Sequence, residues 1–495
     1  MMKGIAPVHP ALPWLQATVI GMAVVFPWIN TLAVGPTPGV VSIVVAVGAG
    51  ALMLLCCRMV RPQDIATGWL VAALLSAVIG LCQYFQIEQH FQPWMSWSEQ
   101  GEAFANLRQR NQFATLTNIG LLALLWRVAL TSQETRDPSE QAWLFLAAVL
   151  LAFGSAAASS RTGLAQLVLI AGVAQCWKTW RRPRQRHVLL VALVAYALAA
   201  FVLHQWAGHA PRNSGIISRL QSADPACTSR LTLWSNMLEL ISQRPWFGWG
   251  WGELDYAHFM TVYEGPRFCE LLSNAHNLPL HLAVELGLPL ALLSCSMILG
   301  WIWRAQPWRE TDPTRQLAWG VLALIALHSM LEYPLWYGPF QMAVVLSLVL
   351  LWRPLRAGSL RARLIGARGL AVVLLALAAY GGWDYQRVSQ IYLPVEQRSS
   401  IYRDHTLEKI RSSWLFRDQV RFAEFTLMPL TRDNAEQLNA MAHELLHFSP
   451  EARVVEKLIE SAIMLGRDDE AEVYMARYRA ASPQAYAQWV QARGK

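Results

Sequence analysis

Long apolar runs separated by short polar stretches are the dominant pattern of this chain. A helix needs roughly 17 to 25 residues, most of them apolar, to cross a hydrocarbon core, and about eleven runs meet that requirement. The pattern therefore predicts an all-α, polytopic membrane protein. The predicted spans lie near residues 11–33, 38–57, 64–84, 111–130, 141–158, 162–178, 187–205, 277–303, 316–333, 337–352 and 369–386.

Two polar regions divide this pattern into four parts. Residues 1–205 and 277–386 hold the predicted membrane helices, and residues 206–276 form a large polar and aromatic loop between them, called the insert below. Residues 387–495 are charged and typical of a helical domain. The first apolar run follows Lys3, but no small-residue cleavage site follows it, so we expect a membrane anchor rather than a signal peptide.

The C-terminal region contains clear helix boundaries. Ser449-Pro450-Glu451 combines a cap, a first-turn proline and an acidic residue, which predicts a helix start. Apolar positions recur from Val454 to Leu465, Gly466 ends that helix, and a second helix over 470–479 ends near Pro483. Two antiparallel helices resemble one tetratricopeptide-like unit. The domain can stabilise the rest of the chain or dock an acceptor, and the sequence leaves both open.

Composition and charge support the membrane interpretation. Hydrophobic residues make up 54% of the 495 residues, charged residues 15%, and the mean hydropathy is +0.28. The net charge of +8 comes from short basic clusters between apolar runs, which is typical of membrane topology rather than nucleic-acid binding. Starting with the N-terminus inside, the basic loops alternate consistently and place the insert and the C-terminal domain outside. The inward residues are Arg58, Arg61, Arg127, Arg136, Lys178, Arg181, Arg182, Arg184, Arg186, Arg304, Arg309, Arg315, Arg353, Arg356, Arg361, Arg363 and Arg368.

Polar and ionisable residues gather at the outer ends of the predicted spans. Such residues are costly near a bilayer and often mark function, so we expect one pocket at the outer membrane surface. His276 can accept a proton from an attacking hydroxyl, or it can be an interfacial histidine bonded to a carbonyl. His281 and Glu285 share a helix face, which favours a hydrogen-bonded pair over a metal pair. The residues predicted to ring the pocket are Asn111, Gln112, Arg161, His276, Glu332, Tyr333 and Tyr337.

Arginines and aromatic residues of the insert suggest an anionic, sugar-bearing ligand. Arg161, Arg219 and Arg230, with Arg212 and Arg267 behind them, could bind phosphate or pyrophosphate through their planar forks. The alternatives are lipid-headgroup contacts or surface ion pairs. The run Trp246–Gly252, which includes Trp249, could stack on sugar rings or form an interfacial aromatic belt.

The seven cysteines do not have the spacing of zinc ligands. Cys227 and Cys269 both lie in the insert, where an oxidising compartment would allow a disulfide. They could also remain two unrelated thiols.

The motifs together resemble the bacterial O-antigen ligase and polymerase superfamily. His276-Asn277 is followed by Leu280 and by Glu285-Leu286-Gly287, after a large outward loop that holds Ser229-Arg230 and Pro245–Gly250. Ser160-Arg161-Thr162-Gly163 resembles the arginine-bearing turn of the superfamily. Arg110–Ala114, the turn Leu331–Tyr337 and the C-terminal helices are most similar to protein O-oligosaccharyltransferases of the PglL type.

This resemblance implies an inner-membrane glycosyltransferase with an outward, periplasmic site. It would move a preassembled glycan from undecaprenyl pyrophosphate to Ser or Thr of periplasmic proteins such as pilins, with inversion and without a metal or other cofactor. The implied catalytic residues are Gln112, Arg161, Arg230, His276 and Tyr333. The implied substrate-binding residues are Asn111, Arg219, Trp249, Asn277, Glu332 and Tyr337.

Three other functions remain open. The same site could serve ligation of O-antigen to lipid A-core or polymerisation of repeat units, since only the acceptor changes. A lipid-linked glycan transporter would require interrupted spans and ionisable residues near the bilayer midplane. A non-catalytic scaffold for envelope assembly would rely on the C-terminal helices.

Overall fold

A computed structural model describes residues 12–32, 36–37, 39–56, 60–131, 138–206, 215–221, 226–352 and 360–493. Within these ranges every regular element is a helix, which confirms the all-α prediction. Arg212, one of the predicted anion-binding residues, lies outside the described residues.

The N-terminal half forms a bundle of seven helices. They are α1 (Leu12–Ile29), α2 (Gly39–Leu55), α3 (Pro62–Tyr84), α4 (Arg110–Leu130), α5 (Pro138–Ala157), α6 (Arg161–Cys176) and α7 (Pro183–Trp206). The insert follows with α8 (Ile216–Gln221), α9 (Arg230–Gln243) and α10 (Leu254–Met260). The bundle then continues with α11 (Leu278–Leu286), α12 (Leu288–Ala305), α13 (Pro313–Ser329), α14 (Gly338–Leu351) and α15 (Leu360–Ser389).

Six of the described helices are long and apolar enough to cross a membrane: α3, α4, α5, α7, α12 and α15. Four shorter apolar helices lie in α1, α2, α6 and α14. Each predicted span overlaps a helix, and the total of about eleven spans stays a prediction.

Helix α4 lies at the centre of the bundle. It packs against α3, α5, α6 and α13, and it is the most buried of the six candidate spans. Helix α12 is the opposite case, because its leucines and Met297 are largely exposed on the bundle surface, as expected of a lipid-facing helix. The polar residues near the start of α4 are therefore held inside the protein.

The predicted continuous span over 277–303 is wrong, because the structure breaks it into α11 and α12 at Gly287. Gly287 has a φ of +84°, outside helical geometry. This interruption of the helix leaves the carbonyls at the end of α11 without intrahelical hydrogen bonds. In a low-dielectric environment those carbonyls need other donors.

The aromatic and glycine run of the insert supplies these partners. The backbone N–H of Trp249 donates to Val284 (2.8 Å), that of Gly250 donates to Glu285 (3.0 Å), and Leu288 donates back to Pro245 (2.8 Å). Glycine is required at the contact, since a methyl group on Gly248 would lie 2.4 Å from the carbonyl carbon of Glu285. The run thus caps a broken helix.

The C-terminal domain consists of α16 (Thr406–Ile410), α17 (Arg417–Leu427), α18 (Ala435–Leu446), α19 (Ala452–Met464), α20 (Asp468–Ala481) and α21 (Pro483–Arg493). Consecutive helices from α17 to α21 contact one another in turn. The predicted start near Ser449-Pro450-Glu451 and the end before Gly466 match α19. Helix α15 continues three residues beyond the predicted boundary at 386, and Asp384 near its end accepts bonds from Ser413 and Leu415.

The insert and the C-terminal domain lie against each other. His447 is 2.7 Å from Glu253 and stacks on Tyr256 with ring centroids 3.8 Å apart. Phe259 of α10 is buried in the apolar cluster of the C-terminal domain. The C-terminal domain therefore packs directly on the insert through polar and apolar contacts.

Candidate active site

Four helices begin at the site, and each is capped by a polar side chain; three of these caps belong to the sequence motifs. Gln109 caps α4, Ser160 caps α6, Ser229 caps α9 and Asn277 caps α11. Arg161 and Arg230 are the first residues of their helices. Helix N-termini carry partial positive charge and free N–H groups, so this arrangement favours an anion.

Glu332 connects these helix starts. Its carboxylate accepts hydrogen bonds from the amide of Asn111 (Nδ2–Oε1, 3.0 Å) and from the guanidinium of Arg230. Its other oxygen, Oε2, lies 3.5 Å from Nε2 of His276. The side chain is only 11% exposed, so the surrounding protein screens these contacts little. One carboxylate therefore joins three residues that lie far apart in the chain, and Asn111 is 221 positions from Glu332 itself.

Two tyrosines and a glutamine complete this side of the site. The rings of His276 and Tyr333 have centroids 5.2 Å apart, and Tyr333 stacks on Tyr337 at 6.0 Å. Tyr337 is hydrogen-bonded to both Tyr333 and Gln112. A tyrosine hydroxyl has a pKa of about 10, so both hydroxyls are protonated and can donate at neutral pH.

His276 is held in an unusual backbone conformation. Its φ is +50°, in the left-handed region that non-glycine residues rarely occupy, and such residues cluster at functional sites. The side chain of Asn274 accepts the N–H of His276 (2.9 Å). Asn277 caps α11 through the N–H of Leu280 (3.1 Å) and donates to the carbonyl of Met330 (3.1 Å). The neighbours of His276 thus fix its position.

The charge state of His276 suits proton acceptance. Burial lowers the pKa of His276, Glu332 opposes this by raising it, and Arg230 lowers it further. The lowered pKa keeps the imidazole neutral at pH 7, the form that can take a proton.

Arg161 and Arg219 lie next to this group. The guanidinium of Arg161 donates to the carbonyl of Arg219, and Nη1 of Arg219 donates to the carbonyl of Ser159 (3.1 Å). Ser160 links them to the carboxylate cluster, since its hydroxyl donates to Oδ1 of Asn111 (2.6 Å). The arginines therefore border the site formed around Glu332.

Trp249 and Arg267, two further predicted ligand-binding residues, make contacts within the insert instead. Trp249 lies at the far end of α11, roughly 12 Å from His276 at 1.5 Å per residue. Its indole N–H donates to the carbonyl of Leu240 (3.1 Å), and Arg244 covers its ring. The guanidinium of Arg267 donates to the carbonyls of Thr261 and His258. Both side chains hold the insert together.

A buried polar network beneath the site was missed from the sequence. Thr115 donates to the carbonyl of Asn111 (2.8 Å) and contacts Nδ1 of His328 (3.0 Å), one turn before Glu332. Gln166 donates to Thr115 (2.9 Å) and to the carbonyl of Leu324 (2.9 Å). The polar spacing 111, 115, 118 along one face of a predicted span was the available signal.

Cys227 and Cys269 form a disulfide with their Cα atoms 5.3 Å apart. It fixes the loop before His276 beside the start of α9, where Arg230 lies. His281 and Glu285 face each other within α11 (Nε2–Oε2, 3.4 Å), and both are 2% exposed. The described part of the chain contains no cluster of three or more histidine, cysteine, aspartate or glutamate residues suited to a metal ion.

The fold and site define a helical membrane protein in which three arginines and four helix N-termini gather beside His276. Three family models match the chain. The model described as O-antigen ligase matches residues 146–295, the model described as protein glycosylation ligase matches 103–128, and the C-terminal model of the virulence factor membrane-bound polymerase matches 316–495.

Two curated relatives from Acinetobacter baylyi are similar to this chain. A general O-oligosaccharyltransferase is 28% identical over 284 residues, which cover 55% of this chain and 47% of the relative. A ComP-specific O-oligosaccharyltransferase is 26% identical over 284 residues, which cover 57% and 50%. The matched region spans about half the length of these relatives, and no solved structure matches. The resemblance to the O-antigen ligase superfamily and its O-oligosaccharyltransferases is therefore confirmed.

Proposed function

We propose that this protein is an O-oligosaccharyltransferase of the bacterial inner membrane. It transfers a preassembled oligosaccharide from undecaprenyl pyrophosphate to Ser or Thr hydroxyls of periplasmic proteins, pilins among them. About eleven spans place its N-terminus in the cytoplasm and its site, insert and C-terminal domain in the periplasm. The observation that carries this proposal is that the carboxylate of Glu332 contacts both Arg230 and His276. It thereby holds a guanidinium, which can bind an anion, next to an imidazole, which can act as a base.

The donor pyrophosphate binds at the helix starts. Arg161, Arg219 and Arg230 hold its oxygens, and the N-termini of α4, α6 and α9 add partial positive charge. These groups stabilise the negative charge that develops as the bond from the anomeric carbon to the pyrophosphate breaks. Preorganised electrostatics of this kind commonly provide the largest contribution to such steps.

His276 activates the acceptor. Glu332 lies on its Nε2 side, so Nε2 keeps the proton and Nδ1 is the nitrogen that accepts one. The acceptor hydroxyl loses its proton to Nδ1 as its oxygen bonds to the anomeric carbon, opposite the departing pyrophosphate. The configuration at that carbon inverts, and the lipid pyrophosphate leaves as an anion.

Tyr333, Tyr337 and Gln112 orient the reacting groups. Their hydroxyls and amide form one hydrogen-bonded row beside the imidazole, and both tyrosine hydroxyls are protonated at neutral pH and can donate. Donors placed at this point can bind the sugar or a phosphate oxygen.

Reconstitution tests this proposal. The protein in liposomes is supplied with lipid-linked oligosaccharide and with periplasmic proteins from a strain that lacks its gene. We expect glycan transfer by the natural chain, and a loss of about 100- to 10,000-fold in His276→Ala, the range that general bases contribute. His187→Ala, a histidine of α7, is the matched control and should retain activity. Full activity of His276→Ala would refute the mechanism.

Ligation of O-antigen to lipid A-core and polymerisation of repeat units form the second candidate function. The observation that favours it is the match to O-antigen ligase over 146–295 and to a membrane-bound polymerase over 316–495. Deletion of the gene separates the two: loss of glycan from periplasmic proteins supports protein glycosylation, whereas loss from lipopolysaccharide supports ligation or polymerisation.

A further inference from the structure

A cleft of about 490 Å³ lies between the insert and the C-terminal domain, and Pro36 and Thr37, between α1 and α2 in the chain, also line it. The insert contributes Asp255, Leu271 and Ser273 to its walls, and the C-terminal domain contributes Gln419, Phe448 and Arg453. The volume falls within the roughly 300 to 1,000 Å³ typical of ligand pockets. Its walls combine aromatic, amide and charged groups, so it can bind a polar ligand in a defined orientation.

The cleft shares one loop with the active site. Residues 269–276 run from the disulfide at Cys269 to His276, and Ser273 lines the cleft three residues before that histidine. Glu270 in the same loop raises the pKa of His276 through its charge, so the loop lies close to the base. Three residues can span at most roughly 10 Å, and the turn at Asn274–His276 shortens this, so the cleft wall at Ser273 lies within that distance of His276.

The backbone of this loop favours a peptide as the ligand. Residues 270–273 contain no regular element, and none of their N–H or carbonyl groups is hydrogen-bonded to any part of the chain that the structure describes. Leu271 is 61% exposed beside them. An extended peptide can pair with such a free backbone segment, while pockets between side chains select its residues. A glycan lacks the regular N–H and carbonyl groups for this pairing.

The cleft is separate from the anion-binding surface. Arg161, Arg219 and Arg230 do not contribute to its walls, and its arginine, Arg453, comes from the C-terminal domain and is 3.0 Å from Glu451. A lipid pyrophosphate would therefore bind at the helix starts and leave the cleft available. In an inverting transfer the acceptor hydroxyl must approach the anomeric carbon from the side opposite the leaving pyrophosphate. The acceptor and the donor lipid therefore need separate binding surfaces near His276.

We infer that this cleft binds the acceptor polypeptide as an extended segment and delivers its hydroxyl to His276. This inference rests on the proposed transfer to protein. It gives the C-terminal domain a role in acceptor binding, because Gln419, Phe448 and Arg453 form the wall that faces the loop.

Filling the cleft tests the inference. Gln419→Trp narrows it from the C-terminal domain and Leu271→Trp narrows it from the insert, while Asp418→Trp places the same ring at the neighbouring, exposed position of α17. The full-length variants are reconstituted with lipid-linked oligosaccharide, and the probe is periplasmic extract from the deletion strain. Rates are measured against extract concentration and, separately, against donor concentration, after the melting temperatures have been compared.

We expect Gln419→Trp and Leu271→Trp to raise the half-saturating extract concentration at least about tenfold, with the half-saturating donor concentration unchanged. Asp418→Trp should match the natural chain. An increase in half-saturating donor concentration instead would assign the cleft to the glycan and overturn the inference, as would unchanged values for both substrates. If the natural chain transfers no glycan to any protein, the proposed function itself fails, and the two failures are distinguishable.

Discussion

Glu332→Gln should slow transfer by about 10- to 150-fold. The substitution keeps the shape of the side chain but removes the charge that binds Arg230 and Asn111 and lies 3.5 Å from His276. A hydrogen bond to a charged group contributes about 1.5 to 3 kcal/mol, and this site is only slightly exposed. At about 1.36 kcal/mol per tenfold change in rate, loss of one such contact in the transition state gives the stated range.

The same variant changes the pH profile in a defined direction. Glu332 raises the pKa of His276, so its neutralisation lowers that pKa further. Because the reaction needs neutral His276, activity on the acidic side should then persist to lower pH than in the natural chain. The assay is kcat and kcat/KM for transfer from lipid-linked oligosaccharide in liposomes across a pH series.

Glu270→Gln is the matched control for this prediction. Glu270 also raises the pKa of His276 through its charge, but it is exposed. We expect a smaller shift of the acidic limb and a rate within about twofold of the natural chain, since exposed charges contribute little. A Glu332→Gln enzyme with the natural rate and an unmoved acidic limb would refute the role of Glu332.

Three further predictions concern the scaffold and the chemistry. Gly248→Ala should lower the melting temperature strongly or prevent folding because its methyl group would lie 2.4 Å from Glu285, whereas Gly252→Ala meets nothing within 4 Å and should cost only about 1 to 2 kcal/mol for its positive φ. Cys227→Ala should destabilise the insert by about 4 kcal/mol, because the disulfide closes a loop of 42 residues. Thermal unfolding with and without reductant measures this loss, and Cys295→Ala, at a free cysteine, should behave like the natural chain. Transfer activity should survive excess EDTA, because a base and cationic groups suffice; activity that is lost with EDTA and restored by a divalent cation would contradict this.

Local patterns were sufficient to predict much of the architecture. A hydrocarbon core requires about 20 apolar residues in a row, so every predicted span except 277–303 overlaps a single helix. Ser160 and Asn277 were visible as motif residues, and their short polar side chains next to apolar runs are typical helix caps. The helix around Ser449–Gly466 followed from the same local rules.

The break at Gly287 could not be predicted from local patterns. Its apolar surroundings read as one span, and only the backbone bonds from Trp249 and Gly250 to α11 make an interrupted helix stable. Those bonds join segments more than 30 residues apart. From the sequence the aromatic and glycine run could be a sugar-stacking surface or an interfacial aromatic belt. The structure adds that its glycines permit close backbone contact and that Trp249 packs within the insert.

The sequence by itself determined that this chain is a helical membrane protein, which polar residues lie at its helix ends, and which superfamily its motifs resemble. Only the tertiary structure decided that Glu332 holds Arg230, Asn111 and His276 together, and that a cleft lined by the insert and the C-terminal domain shares a loop with His276. The physical reason is the sequence separation between the residues that interact. Helix formation and membrane insertion depend on neighbours within one or two turns, while a site assembled from four helix starts depends on how distant segments pack.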